Sequence, residues 1–508
     1  MTQESKSRTY ELPSMPRSGL MLGLSGSQLA GAGVIFLVCI VMMASGGPLI
    51  LTAFVALVGG GVAAGRWQGE STLAWIGMFV RLGWGSMRGK DKWFARVPLT
   101  EVPEAADDAS SRSAAAIELP PVLAGLSIMS VPEELAPLSP IGVVLDESKG
   151  RATALLRVSG KQFALVSPEE KDRLLDGWGR VLSTFATRRP VVQVSWSAVG
   201  TPSGLGEHRA WAAEQGGTGQ VGSAVDSYRD LLDATTMGRT SEHEVVAAVT
   251  VSRAHLGGRR RPSQQSREMR LMVALVDAIR QMERQLSMAK LSVSSPMTAE
   301  EIAGLVRGRI DPTRMRNRRT ARAAGSELPE GDPENAGPLA MVDHGAYIEV
   351  DGRAVCTYVI SEWPGRAQHA SWMEPFLRWQ GSVERSVTVL FEPIAPRESD
   401  RQVQRDLSRL EADAEVKEAR KLRVTARHRK EHTDVQVREQ ELLAGFREAA
   451  FAGLVTITAD TADELYDAMD DVETHAQNSG LDLRQLWGRQ PAAWAASLGI
   501  GVSTGRVW

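Results

Sequence analysis

Residues Leu29 to Ala44 read LAGAGVIFLVCIVMMA, and after Ser45, Gly46 and Gly47 a second uncharged run, PLILTAFVALVGGGVAA, covers Pro48 to Ala64. Each run carries eight Leu, Ile, Val or Phe residues and no Asp, Glu, Lys or Arg. Such residues favour insertion into hydrocarbon by roughly 0.3–0.6 kcal/mol apiece, and a charge at mid-span would oppose it by about 2.5–3.5 kcal/mol. Runs of about 17 residues stand near the lower limit for crossing a ~30 Å layer. The pair therefore reads as a transmembrane hairpin, with Pro48 in the first turn of its second helix, where a missing N–H costs nothing.

Charge on the flanks sets an orientation. Lys6, Arg8 and Arg17 precede the hairpin, and Arg66, Arg81, Arg88, Lys90, Lys92 and Arg96 follow it, while the Ser-Gly-Gly connection is uncharged. The positive-inside rule then places both termini in the cytoplasm, in a cell (inner) membrane crossed twice. A cleaved signal peptide is the competing reading, and the late start and immediate second run disfavour it. From Thr72 to Trp84 the chain reads TLAWIGMFVRLGW, an amphipathic pattern. Trp67, Trp75, Arg81, Trp84 and Trp93 are candidate membrane-interface anchors on a surface helix, the alternative being a core helix of the body.

Further along, 58 Lys and Arg balance 61 Asp and Glu, giving a net charge of −3, which argues against a general polyanion binder. Cys39 and Cys356 lie far apart in apolar surroundings and support neither a disulfide framework nor a thiolate metal site. Pro-, Ala- and acid-rich residues 99–139 read as a linker. Two regions then follow the same order of hairpin, helix, strand, helix, strand, helix and strand, the first with apolar runs at 141–145 and 152–158 and a helix Val221–Met237, the second with a run at 354–360 and a helix near His369–Trp379. In the first, apolar runs flank Glu147–Gly150, Ser167-Pro168-Glu169-Glu170 opens a helix, and Thr298-Ala299-Glu300-Glu301 has the pattern of a capping box. In the second, Asp351-Gly352 marks a tight hairpin turn. The expected fold class is a membrane α-helical hairpin plus an α+β body, made of two similar lobes of antiparallel sheet with helices on one face. The expected segments are a lead 1–26, the hairpin 27–65, the surface helix 66–98, the linker 99–139, lobe one 140–316, a linker 317–340, and lobe two 341–508 with a helical arm 397–451.

Catalytic patterns are missing. Neither Gly89-Lys90 nor Gly160-Lys161 belongs to a Walker A sequence, so no P-loop is present. Gly217, Gly219 and Gly222 match a dinucleotide fingerprint on paper, yet no strand pattern precedes them and a loop fits better. His428 and His432 share a helix face by their spacing, but Arg429, Lys430 and Glu431 lie between them with Arg427 adjacent, and a cation would meet repulsion there. No nucleophile elbow occurs. The reading is accordingly of a protein that is not an enzyme and needs no cofactor or metal.

Basic residues cluster at Arg259–Arg261 and again at Arg307, Arg309, Arg314, Arg316, Arg318, Arg319 and Arg322. Arg307, Arg309, Arg314, Arg316, Arg318 and Arg319 are candidate contacts to phosphate or to an acidic partner, the alternative being a charged connector. DNA contact has weak support, because no aromatic residue interleaves the cluster for base stacking. In the arm, Val403, Leu407, Leu410 and Ala414 repeat at helical spacing, which fits either a solvated helix or a docking arm with a break near 428–434.

Arg8-Thr9-Tyr10 and Met21–Gly26 before the hairpin, and Gly65–Leu73 with the Trp- and Arg-rich helix after it, resemble the PrgI-like two-transmembrane proteins of actinobacterial conjugative type IV secretion systems. Residues 483–490, LRQLWGRQ, and 493–499, AWAASLG, resemble the N-terminal non-motor domain of conjugation ATPases. The resemblance implies an inner-membrane scaffold in a conjugative DNA-transfer apparatus. Its implied partners are membrane lipid, a secretion or conjugation ATPase acting in trans, other secretion-system subunits, and further copies in a homo- or hetero-oligomer. A type VII secretion membrane subunit is the alternative, and a membrane-tethered enzyme the alternative from another class.

Overall fold

The computed structural model describes Tyr10 and residues 26–46, 48–67, 70–89, 91–96, 118–159, 166–186, 190–203, 240–256, 264–313, 331–378, 383–419, 426–443 and 448–502, with a few further single positions. Three helices come first: α1 (Gly26–Ala44), α2 (Leu49–Ala64) and α3 (Thr72–Met87), with the short strands β1 (Arg66–Trp67) and β2 (Glu70–Ser71) between α2 and α3. Strands β3 (Lys92–Phe94), β4 (Leu126–Ser130), β5 (Gly142–Asp146) and β6 (Arg151–Ser159) follow. Next come α4 (Pro168–Ala186), β7 (Val191–Ser203), β8 (Thr240–Ser252), α5 (Gln264–Met288), β9 (Ser292–Pro296) and α6 (Ala299–Ile310). The remainder is β10 (Ala340–Asp343), β11 (Ile348–Val350), β12 (Arg353–Glu362), β13 (Glu384–Pro393), α7 (Pro396–Ala419), α8 (Ala426–Leu443), β14 (Ala449–Ala459), α9 (Ala462–Asn478), β15 (Asp482–Gln485) and α10 (Gln490–Ser497).

Thirteen of the strands form one sheet in the order β3-β10-β11-β12-β14-β13-β7-β8-β6-β5-β4, with β15 against β12 and β9 against β6. Its centre is the antiparallel ladder between β13 and β7, from Arg385 opposite Gly200 to Phe391 opposite Val194. Alternate residues of each central strand point to opposite faces, and both faces are covered. On one, Ala152, Ala154 and Leu156 of β6 and Ala247 and Val249 of β8 pack under Val181 and Phe185 of α4 and Leu275, Ile279 and Met282 of α5. On the other, Leu155 of β6, Val246 and Ala248 of β8, and Val350 and Val355 of β11 and β12 share one core with Ile302 and Val306 of α6 and Trp494 of α10. α9 covers Tyr358, Val455 and Ile457 on the α5 side, and α10 covers Val359, Leu390 and Leu454 on the α6 side.

This arrangement corrects the expected fold class. There are not two lobes with helices on one face: a single sheet runs through both regions, and α6 and α10, one from each region, share a core beneath it. The sequence holds the reason. Runs such as Ala354–Ile360 are apolar at nearly every position because both sides of the strand are buried, whereas a half-covered sheet would alternate. Strands also form outside the expected segments. β3 adds to the edge at β10, and β4, within the expected linker, pairs with β5 along Leu126–Ser130.

The membrane reading is corrected as well. Among the described residues no helix is long and apolar enough to cross a membrane. At 1.5 Å per residue, the 19 residues of α1 rise about 28 Å and the 16 of α2 about 24 Å, both short of a ~30 Å layer. The twice-spanning topology in an inner membrane with two cytoplasmic termini is therefore not supported. The expected helix Val221–Met237, the glycines Gly217, Gly219 and Gly222, and the cluster Arg259–Arg261 lie outside the described residues, apart from single positions.

Trp494, only 2% exposed, sits in the core common to both regions. Truncating a buried Trp costs about 3–5 kcal/mol. Trp494→Ala should lower the urea midpoint of the whole sheet in one transition with an unchanged m-value. Separate melting of residues 340–502 would contradict a shared core.

Candidate interaction site

α1, α2 and α3 form a small helical module on the body. Among the described side chains of α1, a narrow strip (Gln28, Gly31, Ile35, Cys39 and Met42) is the covered one, on the side of Thr52, Val55, Gly59 and Val62 of α2. The helices approach closely at Gly59: a Cβ there would stand 2.9 Å from Ile35 Cγ2, so that side chain would have to shift. Gly65 ends α2, and its carbonyl accepts from Thr72 N (3.1 Å), which turns the chain into α3.

α3 couples this module to the sheet. Trp75, Met78 and Leu82 recur at helical spacing and face the body. The Trp75 ring lies 6.3 Å from that of Trp487, tilted by 56°. Gly488 sits at φ +64°, and a Cβ on it would meet Met78 Cγ at 2.5 Å. Gly345, at φ +79°, similarly faces Leu82 Cδ1 at 3.2 Å, and Gly488 N donates to Gly345 O (2.7 Å). Two glycines in left-handed turns thus make the seat.

The opposite surface is apolar and open. Val34, Phe36, Leu37, Val41 and Met43 on α1, Ile50, Phe54 and Leu57 on α2, and Phe79, Val80, Trp84 and Met87 on α3 are all exposed. Exposed apolar area of this extent differs from the scattered apolar exposure usual on a protein. Among the described residues, most large exposed apolar side chains belong to these three helices.

The expected anchors separate. Trp75 is buried against the body, and Trp93 on β3 packs against the core that holds Trp494. Trp84 is exposed at 58%, with the Arg88 guanidinium 4.7 Å from its ring centre. The side chains of Trp67 and Arg81 lie outside the described residues.

Of the candidate arginines, Arg314, Arg316, Arg318 and Arg319 also lie outside the described residues. Arg307 and Arg309, at the end of α6, face the second half of the sheet. Arg307 Nη1 pairs with Asp351 Oδ2 (2.9 Å) and donates to Gly337 O (2.8 Å). Arg309 is buried, and its Nη1 donates to the carbonyls of Ser497 (3.5 Å) and Leu498 at the end of α10. Burial pulls its pKa below the usual guanidinium value, with Glu244 and Glu384 acting the other way. Its Nε and Nη2 have no hydrogen-bond partner among the described residues. Next to it Thr388 Oγ1 donates to Ser497 O (2.8 Å) and stands 2.9 Å from Ser197 Oγ.

Sequence reading missed one pair with the outline of a nucleophile and base: Lys171 Nζ donates to Ser371 Oγ at 2.7 Å. The same amine stands 3.8 Å from Glu374 Oε2, and Ser371 N, the natural oxyanion donor, already donates to His369 Nδ1 (3.2 Å). The pair ties α4 to the helical turn Glu374–Leu377. No signal short of the fold could have joined residues 200 positions apart. Among the described residues, no group of three or more His, Cys, Asp and Glu is placed to hold a metal.

The expected arm is two helices. At its base Glu448 accepts from Arg438 and, at 2.6 Å, from Ser399 Oγ, while Arg438 Nη1 stands 3.5 Å from Asp406. The side chains of Arg427, His428 and Lys430 lie outside the described residues.

No protein-family model matches the chain, and no curated protein matches it either. The likeness to PrgI-like proteins and to conjugation ATPases has no support from these comparisons, and with it falls the inner-membrane scaffold of a type IV or type VII secretion apparatus.

Two outcomes follow from this geometry. Gly488→Val should unseat α3, exposing Thr72–Met87 to limited proteolysis while the strands of the sheet stay resistant; unchanged cleavage would show that the seat is elsewhere. At the arm, burial works to raise the Glu448 pKa, but the bonds from Arg438 and Ser399 outweigh it and hold it below the ordinary carboxylate value. A carboxyl depressed on folding stabilises above its unfolded pKa and loses that contribution as pH falls through its folded one. Amide protection factors in α7 and α8 should therefore fall on acidification below pH ~4.5, and Glu448→Gln should remove most of that pH dependence.

Proposed function

We propose that this chain is an assembly subunit without chemistry of its own, whose α1–α3 surface joins it to another polypeptide. The observation that carries the reading is the open apolar face of these helices, fixed to a large sheet through Trp75, Met78 and Leu82. A helix that is apolar all round is stable only when covered, and α1 meets its own chain along a single strip. Covering such a face removes ~25 cal/mol for every Å² of apolar area from water, so association has a strong drive. The absence of a P-loop in the sequence and the engagement of Lys171, Ser371, Arg307 and Arg309 in structural contacts support a role in binding over one in turnover.

Photo-crosslinking tests this. Benzoylphenylalanine replacing Phe54 in the full chain should give a covalent adduct with a polypeptide. The same group replacing Leu138, a fully exposed residue of the body, should not. Adducts at position 54 no stronger than at 138, or adducts with lipid alone, would overturn the proposal.

A further inference from the structure

We infer that Tyr10 is a releasable latch: it straps the start of the chain across the seam between α4 and the stretch that follows β12, and it opens without unfolding the body. The inference goes beyond the binding role proposed for α1–α3 and stands or falls apart from it. Three observations carry it.

The first is where the latch closes. Tyr10 pairs antiparallel with Gln368: Tyr10 N donates to Gln368 O at 2.7 Å, and Gln368 N donates to Tyr10 O at 2.9 Å. The Tyr10 hydroxyl donates to Asp172 Oδ1 of α4 at 2.9 Å. One residue near the start of the chain thus joins a helix of the first region to the segment after β12 in the second.

The second is that other groups close the same seam. Lys171, beside Asp172 in α4, donates to Ser371 Oγ at 2.7 Å and stands 3.8 Å from Glu374 Oε2. Trp372 N donates to His369 O at 3.1 Å. Val181 and Phe185 fix α4 in one core, and Phe376 fixes the turn Glu374–Leu377 in another. None of these contacts involves Tyr10, so the latch opens while the seam stays shut.

The third is the form of the hold. Seven residue pairs join β7 to β13, whereas among the described residues Tyr10 and Gln368 are an isolated pair. Tyr10, Asp172 and Gln368 are all half-buried, so water replaces their bonds as they part. A hydrogen bond with access to water contributes little net, and ordering the chain that makes it costs entropy. Contacts of this kind open locally, below the threshold of global unfolding. The side-chain contact also sets what drives the opening: a neutral hydroxyl faces a carboxylate, so negative charge brought to position 10 is repelled by Asp172.

Hydrogen exchange of the full chain, read residue by residue, tests the latch. The amides of Tyr10 and Gln368 should exchange faster than those of Ala354–Ile360 in β12, at a rate that low urea leaves unchanged, because local opening exposes little surface. Tyr10→Phe and Asp172→Ala remove the same bond; each should speed exchange at Gln368, and the double variant should add nothing to either. Tyr10→Glu should speed it by roughly tenfold or more, with Trp372, β12 and α4 unchanged. Adding Asp172→Lys to Tyr10→Glu should slow it again, since opposite charges then face each other. Exchange at Gln368 that Tyr10→Glu leaves untouched, or that Asp172→Lys fails to slow, overturns the inference. So does protection lost in β12 and α4 together with Gln368, which would make Tyr10 part of the body's own fold.

Discussion

The pairing of β7 with β13 holds this structure together. Seven residue pairs, from Arg385–Gly200 to Phe391–Val194, join strands that stand almost 200 positions apart in sequence. Closing so long a loop is costly before any contact rewards it, and the seam survives because both of its faces are covered. Trp196 and Val387 lie within or against the core beneath α9. On the other face Ser197 and Thr388 bond to each other, Thr388 donates to the Ser497 carbonyl at the end of α10, and Arg309 of α6 reaches the carbonyls of Ser497 and Leu498. A buried hydroxyl is expensive unless bonded; here the hydroxyls bond one another and fix the register.

From that seam the remaining contacts take their places. Arg307 reaches Asp351, whose Oδ1 also accepts from Leu339 N and Ala340 N at 2.7 and 2.9 Å. Arg353 pairs with Asp311 (3.2 Å) and donates to Thr313 (2.6 Å). The basic end of α6 is thus a clamp between the two halves of the sheet. Arg309, two of whose nitrogens have no hydrogen-bond partner among the described residues, is the weak point of that clamp, since an incompletely paired buried charge destabilises. α3 in turn rests on the turn after β15, so the apolar module is carried by a region that the clamp keeps rigid.

Local features were legible in the sequence, and long-range ones were not. The runs at 141–145, 152–158 and 354–360 mark β5, β6 and β12 closely because apolar continuity is a local signal. The capping box at Thr298 forms as its spacing requires, with Glu301 N donating to Thr298 Oγ1 at 3.2 Å and Thr298 N to Glu301 Oε2 at 2.9 Å. The β7–β13 ladder leaves no local trace, and without it the two similar regions read as separate lobes. The expected helix around His369–Trp379 shrinks to one turn, Glu374–Leu377, because Pro375 and the docking of Phe376 into the core decide that segment. At the candidate site the apolar runs were plain, but their geometry was not. Whether an apolar helix is buried, open or long enough to span a bilayer depends on where it starts and stops. Trp75 shows the same limit: its composition suits an interface, and its contacts place it under Trp487.

Hydrogen–deuterium exchange of the full chain tests most directly whether both regions form one sheet closed at the β7–β13 seam. Amides of Val194–Gly200 and Arg385–Phe391 should be among the slowest to exchange and should lose protection together as denaturant is added. Protection lost in one strand while its neighbour stays closed would contradict it.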